Sequence, residues 1–254
     1  MSESTKHSGL QSEPLTFAQI LKVLTQGTIQ EEHGILPWGS NYAYLVSVSD
    51  DERVLLAVYK PQHGERPLWD FPDGTLCNRE VAAFLLSELL GWQLVPPTVL
   101  RDGPYGLGSV QFFVDHDPEI TFFTPFPPEC QAQLQQFAVF DYLINNADRK
   151  GGHCILDELG HLWGIDHGLS FHHQPKLRTV IWDYAGQTIP EKIVQDLLGL
   201  CVILQDEAAS GGQALQQLLS DHELAALHNR LDSLIETRQF AQPGPGPNYP
   251  WPPV

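Results

Sequence analysis

The chain has 254 residues, enough for one large or two small domains with a sizeable core. Lys plus Arg number 14 against 31 for Asp plus Glu, a formal net charge of -17, which sets most of the surface against nucleic acid and anionic lipid head groups. The four cysteines, Cys77, Cys130, Cys154 and Cys201, form no CxxC pair or zinc-like ladder and read as reduced thiols, and no apolar run approaches the roughly 18 to 20 residues that span a bilayer.

Residues 1–14 are polar, lack the apolar centre of a signal peptide and read as a flexible arm, so a soluble, cytoplasmic protein without stable membrane association is expected. Leu15, Ala18, Ile20, Leu21, Val23 and Leu24 then recur at helical spacing until Gly27. Residues 28–35, 42–48 and 54–60 read as strands of an antiparallel sheet, with Gly39, Ser40 and Asn41 in the turn before the second. The third strand ends on Lys60, and a lysine closing an apolar strand is costly to bury unless a phosphate or a carboxylate meets it. Residues 63–76 are rich in glycine and proline yet carry Trp69 and Phe71, which makes them an ordered loop, with Glu65 of unassigned role.

A helix follows over 79–90, with Glu80 in its first turn, where it can either cap the helix or pair with Lys60. Residues 95–100 and 106–114 read as two more strands around the turn 102–106, and 128–146 as a helix with a broad apolar face. That helix delivers the chain to Asp148. Beyond it, 153–156 and 161–165 flank the acidic, glycine-ended turn 157–160, as in a β-hairpin. A hairpin brings its outer ends together, so Asp148, His153 and Asp166 come within reach of one ligand. Two carboxylates and a neutral ligand can orient a hydroxyl and hold magnesium on nucleotide phosphates. The alternatives are turn and cap residues for the aspartates and a structural role for His153. Residues 170–179 are polar, with Lys176 and Arg178 close together; 193–204 and 212–237 are helical by periodicity; 242–254 is a proline-rich tail expected to be extended, to lack a core of its own and to be disordered.

The segments Asp148-Arg149-Lys150-Gly151-Gly152-His153 and Ile165-Asp166-His167-Gly168, with Ala57-Val58-Tyr59-Lys60-Pro61 upstream, resemble the D-R-H-x-x-N, I-D-F-G and V-x-K-P motifs of the phosphatidylinositol 3- and 4-kinases, type II 4-kinases and HipA-like kinases included. Lys150 stands where those families have His, and His153 where they have the metal-binding Asn. The motifs keep their order from about Gly39 to about Gly168, and the whole resembles a bacterial subgroup of such proteins. The resemblance implies an α+β, two-lobed protein-kinase-like fold, with a small nucleotide-binding lobe over 15–114 and a mostly helical catalytic lobe over 115–241. It implies ATP and Mg2+ or Mn2+ as cofactors and a magnesium-dependent phosphotransferase acting on an alcohol group. Lys60, positioned by Glu80, would hold the α- and β-phosphates. Gly39, Ser40 and Asn41 would cover the phosphates, and Gln111, Phe112 and Phe113 would hold the adenine edge. Asp148 would orient the acceptor hydroxyl, Arg149 would neutralise charge beside it, and Asp166 and His153 would bind the metal.

Charge favours a protein or soluble small-molecule acceptor over a lipid, with the phosphoinositide lipid kinase as the alternative. A nucleotide-binding regulator without turnover is a second alternative, motivated by His153. A transition-metal hydrolase is a third, suggested by His153, Cys154, His161, His167, His172 and His173 in one stretch, although strand alternation would send several of them to opposite faces.

Overall fold

The computed structural model describes residues 15–36, 41–206 and 209–254. The arm 1–14 and the turn residues Gly39 and Ser40 lie outside the described residues. Helix α1 (Phe17–Gln26) starts at a Thr16/Gln19 capping box, and Ile20, Val23 and Leu24 face a sheet. That sheet contains β1 (Thr28–Ile35), β2 (Tyr44–Ser49), β3 (Val54–Pro61), β4 (Thr98–Gly103) and β5 (Gly106–Phe112), antiparallel in the order β1-β2-β3-β5-β4. Along β3, Leu55, Ala57 and Tyr59 point into the core with Val46, Val48 and Val110. Strand alternation therefore puts Lys60 on the other face. Strand β4 begins three residues later than expected because Pro96 and Pro97 have no N–H to give a ladder.

Helix α2 (Leu76–Leu89) lies between β3 and β4 in sequence but packs in the core of the second lobe, where Ala82, Phe84 and Leu86 meet Phe140, Leu200 and Leu215. It starts three residues earlier than the periodicity predicts, so Glu80 sits in its second turn. Glu65 caps it instead, accepting from the Leu76 and Cys77 N–H groups at 3.1 and 2.8 Å. The capping alternative for Glu80 is thereby overturned, and Glu65 gains a role that nothing local to the helix could reveal.

The second lobe holds α3 (Gln131–Leu143), the hairpin β6 (Cys154–Leu156) and β7 (Leu162–Gly164), α4 (Glu191–Gln205), α5 (Ser210–Leu218) and α6 (Asp221–Thr237). The continuous helix expected over 212–237 is two helices. Ser220 takes an extended conformation and forms a capping box with Glu223, which starts α6 afresh. Glu223 also pairs with Arg79 of α2, a fully buried side chain that donates to the Ser170 carbonyl as well. The two-lobed α+β architecture is the one expected, with α2 packed against β4 and β5 of the sheet as well as against α5.

The tail is ordered. Asn248 accepts through its carbonyl from the Thr179 N–H and the Trp182 indole, both at 3.1 Å, and Pro253 accepts from the Gly151 N–H at 2.7 Å. Pro250 is buried, while Trp251 is 89 % exposed. All four cysteines are free thiols, three of them buried. Among the described residues no helix is long and apolar enough to cross a membrane.

Candidate active site

The hairpin closes as its letters predict. Asp157 Oδ1 accepts from the Leu159 and His161 N–H groups, both at 2.9 Å, and Oδ2 accepts from the Trp163 indole at 2.8 Å. At the open end the Ile165 N–H donates to the His153 carbonyl at 3.0 Å, which sets Asp166 beside His153. Gly164 permits a close crossing: a Cβ there would lie 2.6 Å from the Phe137 ring. Asp166 adopts a left-handed conformation, φ 60, unusual for a residue with a side chain.

Lys60 reaches the same place from β3. Its ammonium lies 2.8 Å from Asp166 Oδ1 and donates to Glu80 Oε1. Burial disfavours its charge, but the Asp166 and Glu80 carboxylates outweigh burial and hold its pKa above the ordinary lysine value. Burial acts to raise the Asp166 pKa, and Lys60 overcomes it, holding the acid well below the usual carboxylate range. The Asp166 side chain remains 45 % exposed, open to a ligand. Glu80 Oε2 also accepts from the His167 N–H at 2.9 Å, so one carboxylate touches both lobes.

Asp148 faces this cluster from the loop after α3. Burial pushes its pKa up to about 6, against the pull of Lys150, whose ammonium lies 3.5 Å from Oδ2. His153 Nδ1 lies 3.0 Å from the Asp148 carbonyl, and Nε2 lies 3.4 Å from Asp166 Oδ2. Burial, reinforced by the Arg149, Lys150 and Lys60 charges, lowers the His153 pKa to about 4 despite Asp166, so the ring is neutral near pH 7.

Other expected site residues are differently employed. Arg149 is fully buried. Its guanidinium pairs with Asp141 at 3.0 Å and donates to the His153 and Ile165 carbonyls at 3.2 and 3.1 Å and to His167 Nε2 at 2.6 Å. It therefore braces the backbone under His153 and Asp166, and the expectation of charge neutralisation beside a substrate is corrected to that of a positioning residue. The Gln111 amide donates to Thr98 Oγ1 at 2.9 Å, and the Phe112 and Phe113 N–H groups donate to the Pro97 and Leu56 carbonyls at 2.8 and 3.0 Å. The sheet thus takes the Phe112 and Phe113 N–H groups, and Thr98 takes one N–H of the Gln111 amide. Asn41 Oδ1 accepts from the Arg66 N–H at 2.8 Å, which ties this residue to the 63–76 loop.

Asp141, buried within an otherwise apolar face of α3, was not singled out by sequence reasoning. Besides Arg149 it accepts from Asn146 and from the Thr179 hydroxyl, each at 3.0 Å. Its signal was legible, since a lone acid between Phe140 and Tyr142 demands a buried cation. Lys176 is committed to Asp70 at 2.7 Å and lies over the Trp69 ring. Arg178 lies close enough to act electrostatically on Asp148. The clustered histidines scatter: His161 contacts Gln133 and the Gln93 carbonyl, His167 contacts Arg149, and His172 contacts the Asp70 carbonyl. Among the described residues no group of three His, Cys, Asp or Glu is arranged to hold a metal by itself.

The family model "Phosphatidylinositol 3- and 4-kinase" matches residues 78–198, which include Glu80, Asp148, His153 and Asp166 and leave Lys60 outside. Phosphatidylinositol 4-kinase gamma 4 of Oryza sativa subsp. japonica is 28% identical over 198 residues, 61% of this chain and 34% of that protein. Protein Rv2133c of Mycobacterium tuberculosis is 38% identical over 269 residues, 87% of this chain and 95% of that protein. The chain belongs to the phosphatidylinositol 3- and 4-kinase-like family. Among solved structures, the Helicobacter pylori proinflammatory kinase CtkA matches with a TM-score of 0.50 at 14% identity, covering 85% of this chain and 94% of that chain. That likeness is one of fold, and it agrees with the two lobes seen here. The kinase-like domain supports a phosphotransferase of the phosphatidylinositol 3-/4-kinase type.

Proposed function

We propose that the protein is an ATP-dependent kinase that transfers the γ-phosphoryl of ATP to a hydroxyl on a protein or soluble small molecule. The observation that carries the reading is that Lys60, Asp166 and His153, drawn from β3 and the two ends of the hairpin, meet in one partly open cluster, with the Asp148 carboxylate of the loop after α3 near enough to feel the Asp166 charge. The Asp166 carboxylate oxygen and the His153 ring nitrogen, 3.4 Å apart, fit a divalent ion whose remaining ligands are phosphate and water. Asp166 and His153 would hold that ion, Mg2+ or Mn2+, which when bound offsets the charge of the phosphates.

Lys60 would hold the α- and β-phosphates, and Glu80, anchored on α2 and on the His167 N–H, keeps its ammonium aimed. Asp148 would orient the acceptor hydroxyl and take its proton on a carboxylate oxygen as the new O–P bond forms and the bond from the γ-phosphorus to the β,γ-bridging oxygen breaks, ADP leaving with that electron pair. With a pKa of about 6 it is ionised at neutral pH and a stronger base than an ordinary aspartate. Arg149 and Asp141 act from below, holding the loop that carries Asp148 against the strand end that carries Asp166. Rate enhancement would come from positioning and charge stabilisation. The net charge of -17 supports a protein or soluble acceptor over a membrane surface.

The test is ATP labelled separately on the γ- and α-phosphates, given to wild type and Asp166→Ala. Transfer or release of the γ-label that is lost in the variant supports the kinase. Transfer of the α-label alone means nucleotidylation, and binding without turnover means a regulator.

A further inference from the structure

The hydrogen bonding of His153 bears on which metal this site takes; the inference rests on the nucleotide-binding reading above. His153 Nδ1 lies 3.0 Å from the Asp148 carbonyl oxygen. A carbonyl only accepts, so Nδ1 carries the ring proton of the neutral imidazole. The Lys150 N–H, 3.5 Å from the same nitrogen, is at the outer limit of a hydrogen bond and does not compete. Nε2 is then left with its lone pair, and 3.4 Å away stands Asp166 Oδ2. Two acceptors facing each other across so short a gap repel unless a cation or a proton lies between them.

The gap suits a cation. Two ligands each about 2.1 Å from one ion and at right angles to each other stand about 3.0 Å apart, so a shift of a few tenths of an ångström brings both atoms to ligating distance. The other oxygen of Asp166 is held by Lys60 at 2.8 Å, which fixes the direction in which Oδ2 points. The hydrogen bond on Nδ1 does the same for the imidazole, orienting the ring and raising the basicity of Nε2. The donor set is therefore one carboxylate oxygen and one imidazole nitrogen, completed by phosphate and water. Mg2+ favours oxygen throughout. An imidazole ligand shifts preference toward divalent transition ions, more strongly along the series from Mn2+ to Co2+ and Ni2+.

We propose that the nucleotide-associated metal of this protein is a divalent transition ion bound directly through His153 Nε2 and Asp166, in preference to Mg2+. The same hydrogen bond couples metal to base: the ligand ring hangs from the carbonyl of Asp148, so occupancy of the metal site tightens the loop that carries the catalytic carboxylate.

The experiment uses the full chain, Mn2+ as the probe ion and a β,γ-imido ATP analogue labelled with nitrogen-15, so that adenine nitrogens do not contribute. Binding of the analogue is first measured by calorimetry without metal and with Mg2+. Pulsed electron paramagnetic resonance of the Mn2+ complex then reads nitrogen-14 coupling from a directly bound imidazole. The coupling is expected in wild type and absent in His153→Asn, and the Mn2+ over Mg2+ affinity ratio is expected to fall at least about tenfold in that variant. Analogue binding without nitrogen coupling in wild type overturns this proposal, indicates a proton between His153 and Asp166, and leaves the kinase reading standing. Failure of the analogue to bind under any condition overturns the kinase reading itself. The wild-type spectrum decides even if the variant does not fold.

Discussion

Replacing Lys150 with methionine removes the cation nearest Asp148 and raises the pH at which that acid ionises. The pair stands 3.5 Å apart with the side chains 22% and 25% exposed. At that distance the Coulomb energy is about 5 kcal/mol at an effective dielectric of about 20 and about 1 kcal/mol in bulk water. Partial exposure and a mobile lysine favour the lower figure, and about 1 kcal/mol is about 0.7 of a pKa unit. The midpoint should therefore move from about 6 to between about 6.5 and 7. The assay is the initial rate of ATP turnover at saturating nucleotide from about pH 5 to about pH 9 for wild type and Lys150→Met. Rates should rise with pH as Asp148 loses its proton, the variant lagging below neutrality and converging on wild type at high pH. A midpoint that stays in place or falls would refute Asp148 as the base whose ionisation Lys150 assists. The same shift has a stability consequence of definite sign. The folded state holds this proton more tightly than the unfolded chain, so between the ordinary aspartate value of 3.8 and about 6 stability falls as pH rises, and Asp148→Asn should remove that slope.

Glu80→Gln leaves Lys60 with Asp166 as its one carboxylate partner, and affinity for ATP should drop about tenfold, roughly 1.4 kcal/mol by calorimetry; unchanged affinity would remove Glu80 from the site. Asp141→Ala strands the buried Arg149 guanidinium and should lower unfolding free energy by about 3 to 5 kcal/mol in denaturant titrations, while Asp141→Ala with Arg149→Met should recover much of that loss without restoring turnover. Deleting residues 252–254 takes away the acceptor of the Gly151 N–H, and amide exchange at 151–153 should quicken by about fivefold, corresponding to a bond worth about 1 kcal/mol, with a fall in turnover and not in nucleotide affinity. Equal exchange in the two proteins would mean that the tail does not brace the loop.

The tail contact is one of several features that no local pattern contains. Gly151 is held between the Phe122 N–H, which donates to its carbonyl at 3.0 Å, and Pro253. Those partners lie 29 residues before and 102 after it in the chain. Proline-rich composition correctly denied the tail a core of its own, yet Asn248 closes a turn through Gly244 and Gly246 and docks on Thr179 and Trp182. Arg79 and Glu80 make the same point on adjacent positions of one helix. Arg79 turns to Glu223 of α6 and Glu80 to Lys60 of β3, which fastens the lysine's partner to the opposite lobe.

By itself the sequence determined the order of strands and helices, the hairpin with Asp148 and Asp166 at its open end, and Lys60 at a strand terminus. These are local consequences of period-2 and period-3.6 apolar patterning and of turn chemistry, which act over a few residues. Tertiary structure alone decided what each polar group bonds to. The Phe112 and Phe113 N–H groups went to the Pro97 and Leu56 carbonyls, Arg149 was turned inward by Asp141, and His153 was fixed by the Asp148 carbonyl of the loop after α3. Each of those choices follows from the cost of burying an unpaired polar group, and the partner that removes the cost is named only when distant segments meet.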